Sequence, residues 1–203
     1  MPFPDFFAAA PTIRVIDPLA AFLGAAESGI IDYRYEDAVR LAGHSCPTVA
    51  SSFLMVRAGL IRLYGDSTPV RGDIRVDLAE APDAGVAGVI ASIATLITGA
   101  AADTGFRGLG GQFNRRNKLH FLQPINAGSL RLTRLDSGQI VDVSVDMSKV
   151  PGDPRIGELM GKCLAGNAAA DEQRLFRTLW QDRVKHMLLD HAADPAVIQT
   201  RNA

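Results

Sequence analysis

Cysteine is scarce in this chain. Two residues in 203, Cys46 and Cys163, make no disulfide framework, and no Cys-x-x-Cys pair occurs. Neither a stapled secreted scaffold nor a finger-type zinc site is available from such a sequence. Charge of one sign is missing too: the net charge of −1 gives no general attraction to nucleic acid or to an anionic membrane. The N-terminus, Met1-Pro-Phe-Pro-Asp-Phe-Phe7, lacks the basic region of a secretory signal and is broken by Pro4 and Asp5. The longest apolar run, from Ala84 to Ala102, is interrupted by alanine and glycine and reads as a buried helix, not a membrane span. These absences lead to the expectation of a soluble, cytoplasmic globular protein without nucleic-acid or membrane partners. Hydrophobic residues at 47% and charged residues at 21% are ordinary for that class.

What stands out is Leu41-Ala-Gly-His-Ser-Cys-Pro-Thr-Val-Ala50 and the apolar run after it. Pro47 fits the first turn of a helix, where its missing N–H is no loss. Cys46 then falls at the N-cap, where free backbone N–H groups and the helix dipole favour thiolate over thiol. His44 sits two residues earlier on the incoming loop. Soft sulfur beside imidazole suits zinc, copper or iron. The plain alternative is a buried small hydrophobe, Cys46, and a loop histidine bonded to backbone.

Periodicity sketches the rest. A helix is expected over 47–64, with Val49, Phe53, Leu54, Val56, Leu60, Ile61 and Tyr64 facing the core. Val70 to Leu78 alternates as a strand, and a second long helix follows with Asp83 as N-cap, ending at Thr98-Gly99. Leu119 to Leu122 reads as a short strand. Leu130–Leu135 and Gln139–Val145 read as a hairpin. Ile156–Ala165 and Asp171–His191 read as helices, the second amphipathic, and 192–203 as frayed. The domain plan is an N-terminal arm and short helix over 1–34, an α+β core over 35–150, and a helical extension of the same domain over 151–203. The fold class is α+β, with two long helices packed on a mainly antiparallel sheet and a C-terminal amphipathic helix.

A second chemical stretch runs from Gly105 to Lys118, rich in glycine and in Arg107, Arg115, Arg116 and Lys118. No Gly-Lys-Ser/Thr follows it, so it is not a P-loop. Its four cations are candidates for holding an anionic substrate or cofactor.

With Gly43-His44-x-Cys46-Pro47 opening a long helix, Thr98-Gly99 closing another, and the glycine-rich stretch running into a basic segment and strand, residues 35–145 resemble the formylmethanofuran dehydrogenase E-subunit-like family. The resemblance implies an α+β core, often dimeric, with a transition-metal site that includes the signature His44 and Cys46. Cysteines common elsewhere in that family are replaced here by Asp83-Ala-Gly85 and Ala100-Ala-Ala102, and the C-terminal zinc finger of some members is missing. A further ligand must come from His120, Asp83, Cys163 or a second copy of the chain; His120, on the strand after the basic loop, is preferred. The resulting expectation is a homodimeric, transition-metal-binding protein, zinc first, open to a small anionic molecule. Two alternatives stand beside it: a haem- or tetrapyrrole-binding module built on Cys46-Pro47, and a metal-free thiol enzyme with His44 as base.

Overall fold

The structure is a computed structural model that describes residues 3–126 and 128–203. The chain begins with a 3-10 turn over Asp5–Ala9 and strand β1 (Ile13–Ile16). Helix α1 (Pro18–Phe22) leads to β2 (Ile30–Tyr33), and β1 and β2 pair antiparallel as a small two-stranded sheet. Helix α2 (Tyr35–Ala42) ends at Gly43 and is followed by α3 (Pro47–Tyr64), β3 (Ile74–Leu78) and α4 (Ala87–Thr98). Strand β4 (Leu119–His120) precedes the hairpin β5 (Leu130–Arg134) and β6 (Ile140–Val145). Helices α5 (Ile156–Leu164) and α6 (Ala170–Leu189) and strand β7 (Ile198–Asn202) complete the fold.

The main sheet has the order β4-β3-β5-β6-β7. Only β3 and β4 run parallel; every other neighbour is antiparallel. Its alternating residues Ile74, Val76, Leu130, Leu132, Val141 and Val143 are buried, and α3 packs across β5, β6 and β7 while α4 packs on β3 and on α3. The architecture is therefore α+β with two long helices on a mainly antiparallel sheet.

Helix α3 is the centre of the molecule, and it is covered nearly all round through its first half. Ser51 and Ser52 are buried with Phe53, Leu54, Met55 and Val56. Their hydroxyls donate to the Thr48 carbonyl at 3.0 and 2.7 Å, which satisfies them inside the core. A helix hydrophobic on every side is a core helix, and none among the described residues is long and apolar enough to cross a membrane.

Four local expectations are corrected. Ile61 is 51% exposed, outside the core face of α3. Asp83 does not cap α4: Val86 is the N-cap, because 83–85 form a turn with Gly85 at φ +50°. Strand β3 starts at Ile74, not Val70, since Val70–Asp73 is a tight turn closed by Asp73 N–H to the Val70 carbonyl at 3.2 Å. The stretch 192–203 is not frayed; β7 zips antiparallel along β6 and becomes the sheet edge. The aromatic arm lies on its own chain, Phe7 packing edge-on to Tyr35 at 4.9 Å, whereas Met1 falls outside the described residues.

Candidate functional site

The His-Ser-Cys-Pro segment forms the joint between α2 and α3. Gly43 ends α2 in the left-handed conformation at φ 74°. Cys46 caps α3, its sulfur accepting the Val49 N–H at 3.4 Å, and it is buried among core residues. His44 is exposed, its Nδ1 3.0 Å from the Ala42 carbonyl oxygen. It lines a groove against α4 with Leu41, Gly88, Val89, Ser92 and Ile93; Cys46 is not part of that lining. Ser45, a residue that sequence reasoning passed over, does the anchoring. Its carbonyl accepts from Trp180 Nε1 at 3.1 Å and Gln181 Nε2 at 3.2 Å, and its hydroxyl bonds to Gln181 Oε1 and Tyr35. The segment is thereby tied to α6. Burial, with the nearby Cys46 adding to it, pushes the Tyr35 hydroxyl up and keeps it a neutral hydrogen-bonding phenol.

The other proposed ligands lie elsewhere in the fold. His120 faces Asp77 across the parallel β3–β4 pair, Nδ1 to Oδ1 at 3.1 Å, and the same oxygen accepts from Arg75 at 2.8 Å. Cys163 sits half-buried on α5. Among the described residues no group of three or more His, Cys, Asp or Glu is gathered to hold a metal ion.

The basic stretch divides. Arg107 is exposed. Arg116 is also exposed and turns Nε onto the Gly105 carbonyl at 3.0 Å, bracing the loop. Arg115 goes inward. Its backbone is fixed by N–H to the Phe106 carbonyl and by its own carbonyl to Ala101 N–H, and the residue is only 6% exposed. Its Nη2 donates to Asp17 Oδ1 at 2.7 Å. Asp17 is itself the cap of α1, accepting Leu19 and Ala20 N–H, and its second oxygen takes Arg71 Nη1 at 2.8 Å. Arg71 also reaches the Leu96 carbonyl near the C-terminus of α4, where a cation is favoured by the dipole.

Two glycines make room for this arrangement. Gly72, at φ +92°, presents bare Cα to Arg115, and any Cβ would overlap Nη1. At Gly99 a Cβ would stand 2.9 Å from Arg115 Nη1 and 3.1 Å from Arg71 Nη1. Both guanidinium groups therefore converge over one glycine.

Together with Lys118 and Asp73, these arginines line a cavity of about 270 Å³. Lys118 Nζ donates to the Gly72 carbonyl. Burial lowers the Lys118 and Arg115 pKa values, against the pull of Asp73 on the first and Asp17 on the second; a guanidinium stays charged regardless. For Asp17 burial raises the pKa, but the Arg71 hydrogen bond and the Arg115 charge outweigh it, so the carboxyl sits below its usual range. Three cations face two carboxylates, leaving one positive charge. Nη1 of Arg115 is buried without a hydrogen-bond partner among the described residues. An unpaired charged donor in that setting costs about 1–3 kcal/mol or more.

Arg115 and Lys118 are the members of the expected cation set that the fold brings together. Asp17, Arg71, Gly72 and Asp73 escaped sequence reading, and only Asp17-Pro18, as a helix start, carried any signal. Compared with protein-family models and with curated proteins, the sequence gives no match, so the site is read from its own residues.

Proposed function

We propose that this protein binds a small anionic molecule between Arg71, Arg115 and Lys118. The observation that carries this reading is the convergence of three cations, Arg71, Arg115 and Lys118, on the lining of one cavity, with two carboxylates, Asp17 and Asp73, set against them. A cavity of about 270 Å³ suits a small metabolite, since drug-sized sites run to roughly 300–1,000 Å³. The test is thermal unfolding with phosphate, sulfate or a simple carboxylate against chloride at matched ionic strength. Stabilisation by at least one of them in wild type, reduced in Lys118→Met, supports the reading. A melting temperature unmoved by all three ends it.

The metal reading that comes with the formylmethanofuran dehydrogenase resemblance is the alternative, favoured by Cys46 standing at the head of α3 with a backbone N–H on its sulfur. His44 and Cys46 provide two donors, and His120 is already engaged by Asp77. A transition metal, zinc first, would need completion from a second copy of the chain, in keeping with a cytoplasmic homodimer whose two cysteines are free. Elemental analysis of protein purified without chelator decides this. Equal metal in wild type and a His44→Ala/Cys46→Ala variant removes the proposal. A Soret band on haem titration, lost in Cys46→Ser, would favour the tetrapyrrole reading instead.

A further inference from the structure

A separate cavity of about 180 Å³ opens where the second half of α3 meets the start of β1 and the turn that leads out of α3. It shares no lining residue with the cavity of Arg71, Arg115 and Lys118. Backbone hydrogen bonds hold its walls. Gly65 N–H closes α3 on the Ile61 carbonyl at 2.9 Å, and Ser67 N–H reaches the Tyr64 carbonyl at 3.0 Å. Pro69 is then tied to β1, its carbonyl accepting Ile16 N–H at 2.9 Å.

The lining is apolar at the bottom and open at the top. Ile13 and Leu60 are buried, Pro69 is half-buried, and Ile61 is 51% exposed. The position that departs from the core face of α3 therefore borders a cavity. Two arginines share the lining, and they differ. Arg14 is committed: its Nε and Nη2 donate to the two carboxylate oxygens of Asp32, each at 2.8 Å. Arg57 is half-buried and makes no hydrogen bond or ion pair among the described residues. Burial alone lowers its pKa, with no carboxylate opposing, and a guanidinium stays charged regardless. No aspartate or glutamate lines the cavity. With Arg14 neutralised by Asp32, one positive charge remains, and it stands beside apolar surface.

Size narrows the occupant further. An aliphatic cavity of about 150 Å³ takes one benzene, so this one takes a single ring or a branched chain of that bulk. Inorganic phosphate would meet Arg57 and leave the isoleucines and Leu60 unused. A neutral ring would cover the apolar floor and leave the cation without a counter-charge. An amine would be repelled. A compact apolar body bearing one carboxylate fits both halves.

We propose that this cavity binds a small apolar monocarboxylic acid of benzoate size, its body against Ile13, Leu60, Ile61 and Pro69 and its carboxylate on Arg57. This site is independent of the anion-binding reading above; neither needs the other.

The experiment is calorimetric titration of the full chain with benzoate, benzyl alcohol, acetate and inorganic phosphate. In wild type benzoate is expected to bind most tightly of the four. Arg57→Met keeps the apolar stem and removes a charge that burial disfavours, so it should fold as well as wild type. It should weaken benzoate about tenfold, the size of one hydrogen bond to a charged group, and leave benzyl alcohol unchanged. Ile61→Ser, at an exposed position, should weaken benzoate and leave acetate unchanged; it keeps the test open if Arg57→Met does not fold. Benzoate affinity indifferent to both substitutions overturns the proposal. Acetate or phosphate binding as tightly as benzoate removes the apolar half of the assignment, and benzyl alcohol doing so removes Arg57. Benzoate binding that falls in Lys118→Met and not in Arg57→Met belongs to the other cavity and also overturns it. If benzoate does not bind, this site falls while the anion reading stands on its own test.

Discussion

Asp17 has two separable duties, capping α1 and bridging two buried arginines. Asp17→Ala therefore loses a cap and leaves Arg71 and Arg115 facing each other over Gly99. Breaking a buried ion pair from one side costs about 3–5 kcal/mol, and a large shift of the urea midpoint is the expected result. The pH dependence has a defined sign. The folded carboxyl sits below its ordinary range, so its contribution is complete above about pH 4 and fades as pH falls through the lowered value. Wild type should lose stability more steeply than Asp17→Asn in that acid window, followed by circular dichroism. Asp73 runs the other way: its raised pKa makes ionisation unfavourable to the fold, and Asp73→Asn should be slightly more stable than wild type at neutral pH. Gly72→Ala has no such freedom. It needs a strained positive φ and drives Cβ into Arg115, so both stability and anion affinity should drop.

At the scale of elements, most of the fold could be read because periodicity and punctuation agree. Pro47 and Gly65 bound α3, Gly99 closes α4, and the Asp136-Ser-Gly138 turn joins β5 to β6, each a local signal with a local cause. What escaped depends on pairing partners. The polar sequence Ile198-Gln-Thr-Arg-Asn202 is a strand only because β6 offers an edge, and β1–β2 is held by Arg14–Asp32 and backbone bonds that no single-strand pattern reveals. The cap at Cys46 was legible for the same reason as the helix. Its burial stood in the sequence only as the plainer of two readings, because what decides it is Tyr35 and α6 folding over the joint at Ser45. This burial carries its own prediction. Iodoacetamide should modify half-exposed Cys163 well before Cys46, read by peptide mass mapping. Faster reaction at Cys46 would favour the metal-free thiol enzyme with His44 as base.

At the scale of the whole molecule, the cation cluster and its cavity join segments far apart in sequence: the α1 cap at Asp17, the turn at 71–73, the end of α4 at Gly99 and the basic loop reaching Lys118. That is why sequence reading found two of its cations and missed their organising carboxylate; no spacing rule links positions this distant. The same geometry determines what a ligand should do. A molecule bound only by the native state stabilises by RT ln(1 + [L]/Kd), about 2.7 kcal/mol at a hundredfold excess over Kd. The gain should be felt unevenly before global unfolding, because local opening of the 105–118 loop releases Arg115 and Lys118 while leaving the sheet intact. Hydrogen exchange should therefore slow at 70–73 and 105–118 on adding an anion that binds. Helix α5, which packs on α6 and contributes nothing to the cavity, should keep its rate. Protection spread evenly over both regions would mean that the anion acts through the solvent and not at the cavity, and the loop would lose its place as the closing wall of the site.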